Sequence, residues 1–249
     1  MISIGYRKLT LGDFYKILFE GTKIDIDPAS LTRVSENFEF LREFAKGKVI
    51  YGINTGLGPM AQFKINGNRE LELQYNLIRS HAAGCGAPIP DIYVKATMVA
   101  RLSTLIQAKS GIHPDVVTTL MEMINRGIFP IIPEHGGVGA SGDLVQLAHL
   151  AVCLIGEGEV SYKGAIRPTA EVFTEEGITP VKLYIREGLG LINGTSAMTG
   201  ILTPSTTNGC HVGYCWEAGV LTVPKALFWG MTMTMPSSSG SSTPSASVS

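Results

Sequence analysis

The sequence predicts a mainly α-helical protein with a few short strands. This prediction rests on three features. Apolar residues recur at three- and four-residue steps along most of residues 1–200. Capping residues or prolines precede these segments, and glycines follow them. Strand-like runs are few and short, and no internal repeat is visible. At 249 residues the chain is long enough to bury a sizeable core.

The first two helices have the clearest predicted ends. Thr10 is expected to cap a helix that runs through Phe19. Asp27 followed by Pro28 is typical of a helix start, and Gly47 is expected to stop this second helix. The apolar face expected for the second helix consists of Leu31, Val34, Phe38, Leu41 and Phe44.

The remaining elements follow from the same signals. A short β-like run over 48–51 leads into a glycine-rich loop. Further helices are expected over 70–81, 91–109, 114–126 and 142–155. The last of these is apolar but interrupted by Gln146 and His149, and it is too short to span a bilayer. A hairpin is expected over 160–166, around Lys163-Gly164.

Composition argues against several classes of partner. A formal net charge of −1 gives no electrostatic reason to expect binding to nucleic acid or to a membrane. The 4 cysteines contain no CxxC pair, so a reduced, cytoplasmic setting is expected. Residues 1–17 lack the apolar stretch of a signal peptide. No metal site is expected, because the spacing of these histidines does not suit a ligand set: His113, His135, His149 and His211.

One tripeptide points to covalent chemistry. Ala140-Ser141-Gly142 lies within EHGGVGASGDLVQLAHLA. In a tightly bent loop the amide nitrogen of Gly142, which has no Cβ in the way, can attack the Ala140 carbonyl carbon and close a five-membered ring. Ser141 then loses its hydroxyl and becomes an exocyclic methylene, an electrophile that no unmodified side chain supplies. Taken alone, the same residues also suit a glycine-rich turn before a helix.

Four separated segments give this tripeptide a context. They occur in the order YGINTGLGPM, NLIRSHAAG, the tripeptide segment and REGLGLINGTSAMTG. Together they resemble the aromatic amino acid ammonia-lyases, over roughly the first 200 residues. The resemblance implies the N-terminal part of a helical fold and a 4-methylidene-imidazol-5-one (MIO) group formed from Ala140, Ser141 and Gly142. It implies no external cofactor, and an activity that eliminates ammonia from an aromatic L-amino acid.

The resemblance also assigns roles to single residues. Tyr51 matches the base that takes the β-proton, and Asn193 matches the asparagine that positions the substrate and holds the ring oxygen. Gly58 belongs to the glycine loop that is expected to fold over the site and bind the substrate. On residue type alone, Tyr51 is interpreted as a half-buried residue with a packing role, and Asn193 as part of an Asn-Gly turn.

Ser80 and His81 occupy the position that selects the aryl group in this family. The pair resembles that of histidine-specific lyases, so histidine, converted to urocanate, is the first expected substrate. His81 would equally bind a phenol hydroxyl, which makes tyrosine, converted to p-coumarate, a close second. Leu144 is expected to line the pocket. On residue type alone His81 is a helix C-terminal cap and Leu144 is helix core.

Asp143 has two interpretations that the sequence leaves open. It suits the N-cap of the helix that begins near Gly142, and by resemblance it assists dehydration of the ring. In either case the start of that helix is expected to direct backbone N–H groups toward the ring.

Other activities remain as alternatives. An aminomutase shares the electrophile and adds the ammonia back. A serine hydrolase is a remote alternative, because GASGD approaches the G-x-S-x-G nucleophile elbow but ends in Asp143 instead of glycine. The family's sites lie between the subunits of a homotetramer. Its distal half supplies a second tyrosine, an arginine for the substrate carboxylate and an acidic residue.

The sequence changes character near residue 201. Over residues 201–249 the formally charged side chains are Glu217 and Lys225, and the end, PSSSGSSTPSASVS, is expected to be disordered. We therefore expect an N-terminal lyase domain over 1–200 and an atypical tail over 201–249, with most of the central helix bundle missing. This expectation makes a homotetramer doubtful and predicts weak or absent activity, as in an inactive lyase fragment.

Overall fold

The computed structural model describes residues 1–65, 68–137 and 139–207. Within these ranges the α-helices are α1 Leu11–Phe19, α2 Pro28–Phe44, α3 Asn68–His81, α4 Asp91–Leu105, α5 Pro114–Arg126, α6 Leu144–Leu154, α7 Thr169–Glu176, α8 Glu187–Ile192 and α9 Ser196–Thr207. The strands there are β1 Ile2–Ile4, β2 Ile24–Ile26, β3 Cys85–Pro88, β4 Phe129–Pro130, β5 Pro133–His135, β6 Glu159–Tyr162 and β7 Ala165–Pro168. The predicted mainly α fold with short strands is confirmed.

The strands form three small sheets beside the helices. Strands β1 and β2 pair in parallel, with Ile2 opposite Ile24. Strands β3 and β5 pair antiparallel, and β6 lies antiparallel between β4 and β7. The predicted hairpin is β6–β7, and its turn at Lys163 and Gly164 has φ values of 51° and 79°. A two-residue turn with positive φ at both central residues matches the right-handed twist of the two strands that it joins.

Helix α4 occupies the centre of the core. It packs against α1, α5 and α9, and side chains on most of its circumference are buried. Helix α9 approaches α4 closely at Gly200, because a Cβ there would overlap the backbone of Thr97 in α4. Helix α9 therefore crosses the expected boundary at residue 200 in direct contact with the core. The predicted disorder at the end of the chain lies outside the described residues.

Several helix ends follow the sequence signals closely. Thr10 caps α1 through a capping box with Asp13, and the Asp27 side chain accepts from the Ser30 backbone N–H at the start of α2. Helix α5 has the predicted bounds because proline starts it and Gly127, with a φ of 69°, ends it.

Four local predictions were wrong. Residues 48–51 form no strand, because the side chain of Asn54 binds their backbone instead: Oδ1 accepts from Ile50 N at 2.8 Å and Nδ2 donates to Lys48 O at 2.7 Å. The helix expected over 91–109 ends at Leu105 and that expected over 142–155 begins at Leu144. Phe44 is 44% exposed and stacks on Phe40 instead of facing the core.

Three helices position one site. Helices α3, α6 and α8 pack against one another. The C-terminal end of α3 carries His81, the loop before α6 carries Ser141, and α8 ends directly before Asn193. No helix in the described ranges is long and apolar enough to cross a membrane.

Candidate active site

A cavity of about 530 Å³ lies where these three helices meet. Its lining includes six residues that the sequence analysis selected, namely Tyr51, Gly58, His81, Ser141, Leu144 and Asn193. Ala140 and Gly142 flank Ser141 in the chain, and Ser80 precedes His81. These three residues are not among the described residues that line the cavity. The fold thus brings together segments that are separated by up to about 140 residues in the sequence, as a site built on loops over a rigid scaffold requires.

The loop that carries Ser141 is bent into a tight turn. Gly142 N donates to Gly139 O at 2.9 Å, and Gly139 N donates to Gly142 O at 3.2 Å. Ala140 and Ser141 therefore occupy the two central positions of a hydrogen-bonded turn, and both are exposed. The hydroxyl-bearing residue is thus presented to the cavity instead of being packed in the core.

Gly142 fits its place only because it lacks a side chain. Its φ is 92°, in the left-handed region, and a Cβ on it would overlap the carbonyl oxygen of Gly194. The next residue, Asp143, donates its backbone N–H to the same oxygen at 2.7 Å. This contact joins the Ser141 loop directly to the loop that carries Asn193.

The Asp143 side chain settles one of the open interpretations. Asp143 precedes α6, but its side chain makes no capping bond to that helix. Its Oδ2 accepts from Met198 N at 2.8 Å instead, so the carboxylate caps the N-terminal turn of α9. Asp143 is thus the N-cap residue of α6, as one interpretation predicted, but its side chain makes no capping bond to that helix and binds α9 instead. The other oxygen, Oδ1, is buried without a hydrogen-bond partner in the described ranges.

Arg101 is the charge that faces Asp143. Burial raises the pKa of Asp143, and the positive charge of Arg101 opposes that rise. Arg101 lies in α4 and is 2% exposed. Burial lowers the pKa of its guanidinium to about 10, again against the influence of its partner. The two charges therefore influence each other within the core, although no ion pair within 4.0 Å joins them in the described residues.

Arg101 also holds the backbone around Asn193. Its Nη1 donates to Asn193 O at 3.0 Å, and its Nη2 donates to Gly190 O. Gly194 must lack a side chain, because a Cβ there would lie 2.6 Å from Arg101 Nη1. The guanidinium thus fixes the position from which the Asn193 side chain enters the cavity.

Tyr51 lies on a loop that folds back on itself. Its phenol oxygen accepts from Gly58 N at 3.2 Å, and the side chain is 50% exposed. Gln74 of α3 ties this loop to α8: its Nε2 donates to Gly52 O at 3.3 Å, and its Oε1 accepts from Gly188 N at 3.0 Å. The phenol therefore reaches the cavity from a loop anchored to two of the three helices.

His81 is held by the helix that it ends. Its Nδ1 lies 2.8 Å from Leu77 O, and a carbonyl oxygen can only accept, so we assign the proton to Nδ1. Its Nε2 is then an acceptor. Ser80 Oγ donates to Leu77 O at 3.1 Å and lies 3.2 Å from His81 Nδ1, so it supports the imidazole. The cap that residue type predicted for His81 and its place at the cavity are both observed.

The cavity contains residues that sequence reasoning did not select. Lys109 and Arg186 bring two positive charges to the lining. Apolar side chains complete it, namely Leu57, Leu77, Leu189 and Ile192. One signal for Arg186 was available, because it begins the REGLGLINGT segment that also contains Asn193.

The loop in which the sequence predicts a ring is a tight turn, in which Gly142 has a left-handed φ and Ser141 is exposed. The ring itself stays a prediction. Within the described ranges no group of three or more histidine, cysteine or carboxylate side chains is placed to hold a metal.

Sequence comparison matches this chain to one protein family and to named relatives. The profile of one protein family, described as aromatic amino acid lyase, matches residues 9–209. A tyrosine 2,3-aminomutase of Myxococcus fulvus is 47% identical over 201 residues, which are 80% of this chain and 38% of that protein. A histidine ammonia-lyase of Bacillus cytotoxicus is 43% identical over 206 residues, which are 82% of this chain and 41% of that protein.

A solved structure is similar over the same region. The crystal structure of a tyrosine aminomutase from Streptomyces globisporus matches with a TM-score of 0.75 at 38% identity, and the match covers 81% of this chain and 38% of that one. The matched part of this chain thus spans about two fifths of the length of these relatives: 38% of the aminomutase and 41% of the histidine ammonia-lyase.

Proposed function

Because this chain belongs to the aromatic amino acid lyase family, we propose that it eliminates ammonia from an aromatic L-amino acid. The observation that carries the proposal is the shared cavity of Tyr51, Ser141 and Asn193. These residues come from three separate loops, and each has the chemistry that one part of the reaction needs.

The electrophile in this proposal is made by the chain itself. The nitrogen of Gly142 bonds to the carbonyl carbon of Ala140, whose oxygen leaves as one water. Ser141 loses its hydroxyl together with its α-hydrogen as a second water. The resulting MIO group supplies an electron-poor alkene that activates the substrate's amine as a leaving group. The turn of Gly139–Gly142 supports this proposal, because its hydrogen bonds hold the three residues in a bend before any covalent change.

The remaining steps fall to side chains at the cavity wall. Tyr51 takes the β-proton through its phenol oxygen, and the Gly58 N–H that binds this oxygen helps to stabilise negative charge on it. Asn193 orients the substrate through its side-chain amide, while Arg101 fixes the backbone that carries it. Gly58 leaves room for the substrate at the cavity edge, and Leu144 contacts its apolar part.

The substrate in this proposal carries a hydrogen-bond donor on its ring. With its proton on Nδ1, His81 offers Nε2 as an acceptor, which suits the imidazole N–H of histidine or the phenol O–H of tyrosine. Phenylalanine has no such donor and leaves the acceptor unpaired. We propose histidine as the first substrate, giving urocanate, and tyrosine as the second, giving p-coumarate.

A second candidate is an aminomutase acting on tyrosine. Its support is the set of similar proteins named tyrosine 2,3-aminomutase at 47% identity. The two activities share the electrophile and the base, and they differ in whether ammonia returns to the β-carbon before the product leaves. A site that retains the product favours the aminomutase, and one open to solvent favours the lyase.

The surface beside the cavity supports assembly of this polypeptide with further protein. Large apolar side chains that are at least half exposed lie on the loops around Tyr51, namely Val49, Met60 and Phe63. A patch of this kind marks a contact surface or an aggregation risk. We therefore expect slow turnover from this polypeptide alone, and propose that full activity needs further protein against this surface; a homotetramer of this polypeptide stays doubtful.

Product analysis tests the proposal. Purified protein is incubated with L-histidine, L-tyrosine or L-phenylalanine, and urocanate, p-coumarate, cinnamate and β-tyrosine are quantified by mass spectrometry. We expect slow formation of urocanate and p-coumarate and none with Ser141→Ala. β-Tyrosine in place of p-coumarate would favour the aminomutase. A protein that contains the ring but forms no product would contradict the proposal and favour an inactive fragment.

A further inference from the structure

A second cavity, of about 260 Å³, shares no described lining residue with the candidate active site. It is formed by the loop before β2, by Lys95 of α4 and by the C-terminal end of α5. Its described lining contains the cations Lys23, Lys95 and Arg126 and no acidic residue. A cavity whose lining carries charge of one sign attracts ligands of the opposite sign, so the expected ligand is an anion.

Two of the three cations have no counterion. Arg126 is paired with Glu122 at 3.1 Å and with Glu176 at 3.5 Å. In the described part of the chain neither Lys23 nor Lys95 forms an ion pair. The unbalanced positive charge of the cavity therefore belongs to the two lysines.

The ends of two helices hold the two amines in place. Lys95 Nζ donates to Ile17 O in the last turn of α1 at 2.6 Å, and Lys23 Nζ donates to Asn125 O in the last turn of α5. Carbonyl oxygens in a last turn have no partner within their own helix, so each lysine satisfies one of them. Each of these contacts uses one N–H, and the rest of each amine is left for a ligand.

The surroundings of Lys95 favour its uncharged amine. Lys95 is half-buried, whereas Lys23 is exposed. Burial lowers the pKa of Lys95 below the ordinary 10.5, and the positive charge of Lys23 lowers it further. A lysine that is desolvated beside another cation has a larger share of free amine near neutral pH, and the free amine is the nucleophile.

We propose that Lys95 is a modification site that is acylated by an acyl phosphate, whose phosphate group binds Lys23. The nitrogen of Lys95 bonds to the acyl carbon, and the bond between that carbon and the phosphate oxygen breaks. Phosphate leaves with the electron pair of that bond and takes the proton that the nitrogen loses. Lys95 becomes a neutral amide, and the step needs no oxidant or reductant.

The fold is expected to accept the product. The amide nitrogen of acylated Lys95 keeps one N–H, which can still donate to Ile17 O. Acylation also removes one of two like charges that face each other without a counterion. A cavity of about 260 Å³ leaves room for a group as small as acetyl.

Site-resolved acetylation of the full chain tests the proposal. The protein is incubated with acetyl phosphate at pH 7.5, and peptide mass spectrometry measures the rate at each lysine. Lys182, which is exposed and outside the described lining, is the reference. On access alone the half-buried Lys95 would react more slowly. We expect it to react at least about threefold faster, because more of its amine is uncharged. An equal or slower rate at Lys95 would overturn the proposal.

A neutral reagent and two variants test the role of Lys23. N-hydroxysuccinimidyl acetate carries no phosphate, so the rate at Lys95 relative to Lys182 is expected to be lower with it than with acetyl phosphate. Lys23→Gln is expected to lower the ratio measured with acetyl phosphate. Lys16→Gln, which removes an exposed charge of α1 outside the described lining, is expected to leave that ratio unchanged.

Circular dichroism of Lys23→Gln checks that this variant is folded. The same ratio with both reagents, or an unchanged ratio in folded Lys23→Gln, would overturn the binding of the phosphate group by Lys23. A lower ratio in Lys16→Gln as large as that in Lys23→Gln would also overturn it, because any nearby positive charge would then be sufficient.

Discussion

The backbone N–H of Asp143 donates to the carbonyl oxygen of Gly194 at 2.7 Å. This bond links the loop of Ser141, which carries the proposed electrophile, to the loop of Asn193, which carries the proposed substrate-orienting amide. The same carbonyl fills the space where a side chain on Gly142 would stand. The geometry of the electrophile and the placement of Asn193 are therefore coupled through one peptide group.

Replacing Gly142 tests this coupling. In Gly142→Ala the new Cβ meets the Gly194 carbonyl and the φ of 92° becomes strained, so we expect a loss of about 1–3 kcal/mol in the free energy of unfolding. The turn is also expected to open and ring formation to stop, as intact mass would show. Gly139→Ala is the matched control, because a Cβ at Gly139 meets nothing within 4 Å. A ring that still forms in Gly142→Ala would contradict the coupling.

Removing the Tyr51 hydroxyl separates catalysis from folding. The phenol is 50% exposed and accepts one backbone hydrogen bond, so Tyr51→Phe is expected to change stability by less than about 1 kcal/mol. Product formation is expected to fall at least about 100-fold, as loss of a general base predicts. Tyr15→Phe, on the exposed face of α1, is the control. Unchanged turnover in Tyr51→Phe would exclude Tyr51 as the base.

Removal of the Arg101 guanidinium is expected to lower the free energy of unfolding more than removal of the half-exposed Arg42 guanidinium. Arg101→Gln leaves Asp143 buried without its opposing charge and Gly190 O and Asn193 O without their donor. Chemical denaturation is expected to show a loss of about 3 kcal/mol in the free energy of unfolding, because two carbonyl oxygens lose the buried donor that binds them. Arg42→Gln, which breaks an ion pair between half-exposed side chains, is expected to cost less than about 1 kcal/mol. Similar losses in the two variants would contradict the role of Arg101.

His149 makes stability depend on pH. Burial lowers its pKa below the ordinary 6.5, and its Nε2 accepts from Gly84 N at 3.1 Å, which requires the neutral ring. As the pH falls below 6.5 the unfolded chain takes up a proton that the folded chain resists. The contribution of His149 to the free energy of unfolding is therefore fully present above pH 6.5. It is lost as the pH falls from 6.5 toward the lower pKa of the folded protein.

Urea denaturation between pH 7.5 and pH 5 measures this loss. His149→Gln, whose amide oxygen still accepts from Gly84 N, is expected to flatten the decline of stability with falling pH. His135→Gln is the control, because that side chain is 51% exposed. A decline of equal slope in His149→Gln and in the unchanged protein would show that another group is responsible.

Local signals were sufficient where one residue determines a boundary. Proline at the first position and glycine in the left-handed conformation after the last one defined α5, and Lys163-Gly164 defined the hairpin turn. Strands β1 and β2 escaped prediction because each has three residues, pairs with a parallel partner about 20 residues away and, in β2, also binds the side chain of Asn125, which is about 100 residues away. The sequence of residues 48–51 predicted a strand, but the side chain of Asn54 makes hydrogen bonds to backbone groups of this segment that a strand would use for pairing.

The family motifs located most of the residues at the cavity but not the charges that support it. Motif matches selected Tyr51, Ser141 and Asn193 one by one. Arg101 gave no such signal, because a charged residue in a helix is usually solvated and only tertiary packing shows that it is buried. Asp143 was a plausible cap for α6, and only the approach of α9 shows which helix it caps.

The intact mass of the purified protein tests the central claim most directly. If Ala140, Ser141 and Gly142 cyclise, the protein weighs less than its sequence by two water molecules, and borohydride adds hydrogen to the alkene. Ser141→Ala keeps the full mass and does not react with borohydride. A protein that has the mass of its unmodified sequence and resists borohydride would contradict the account.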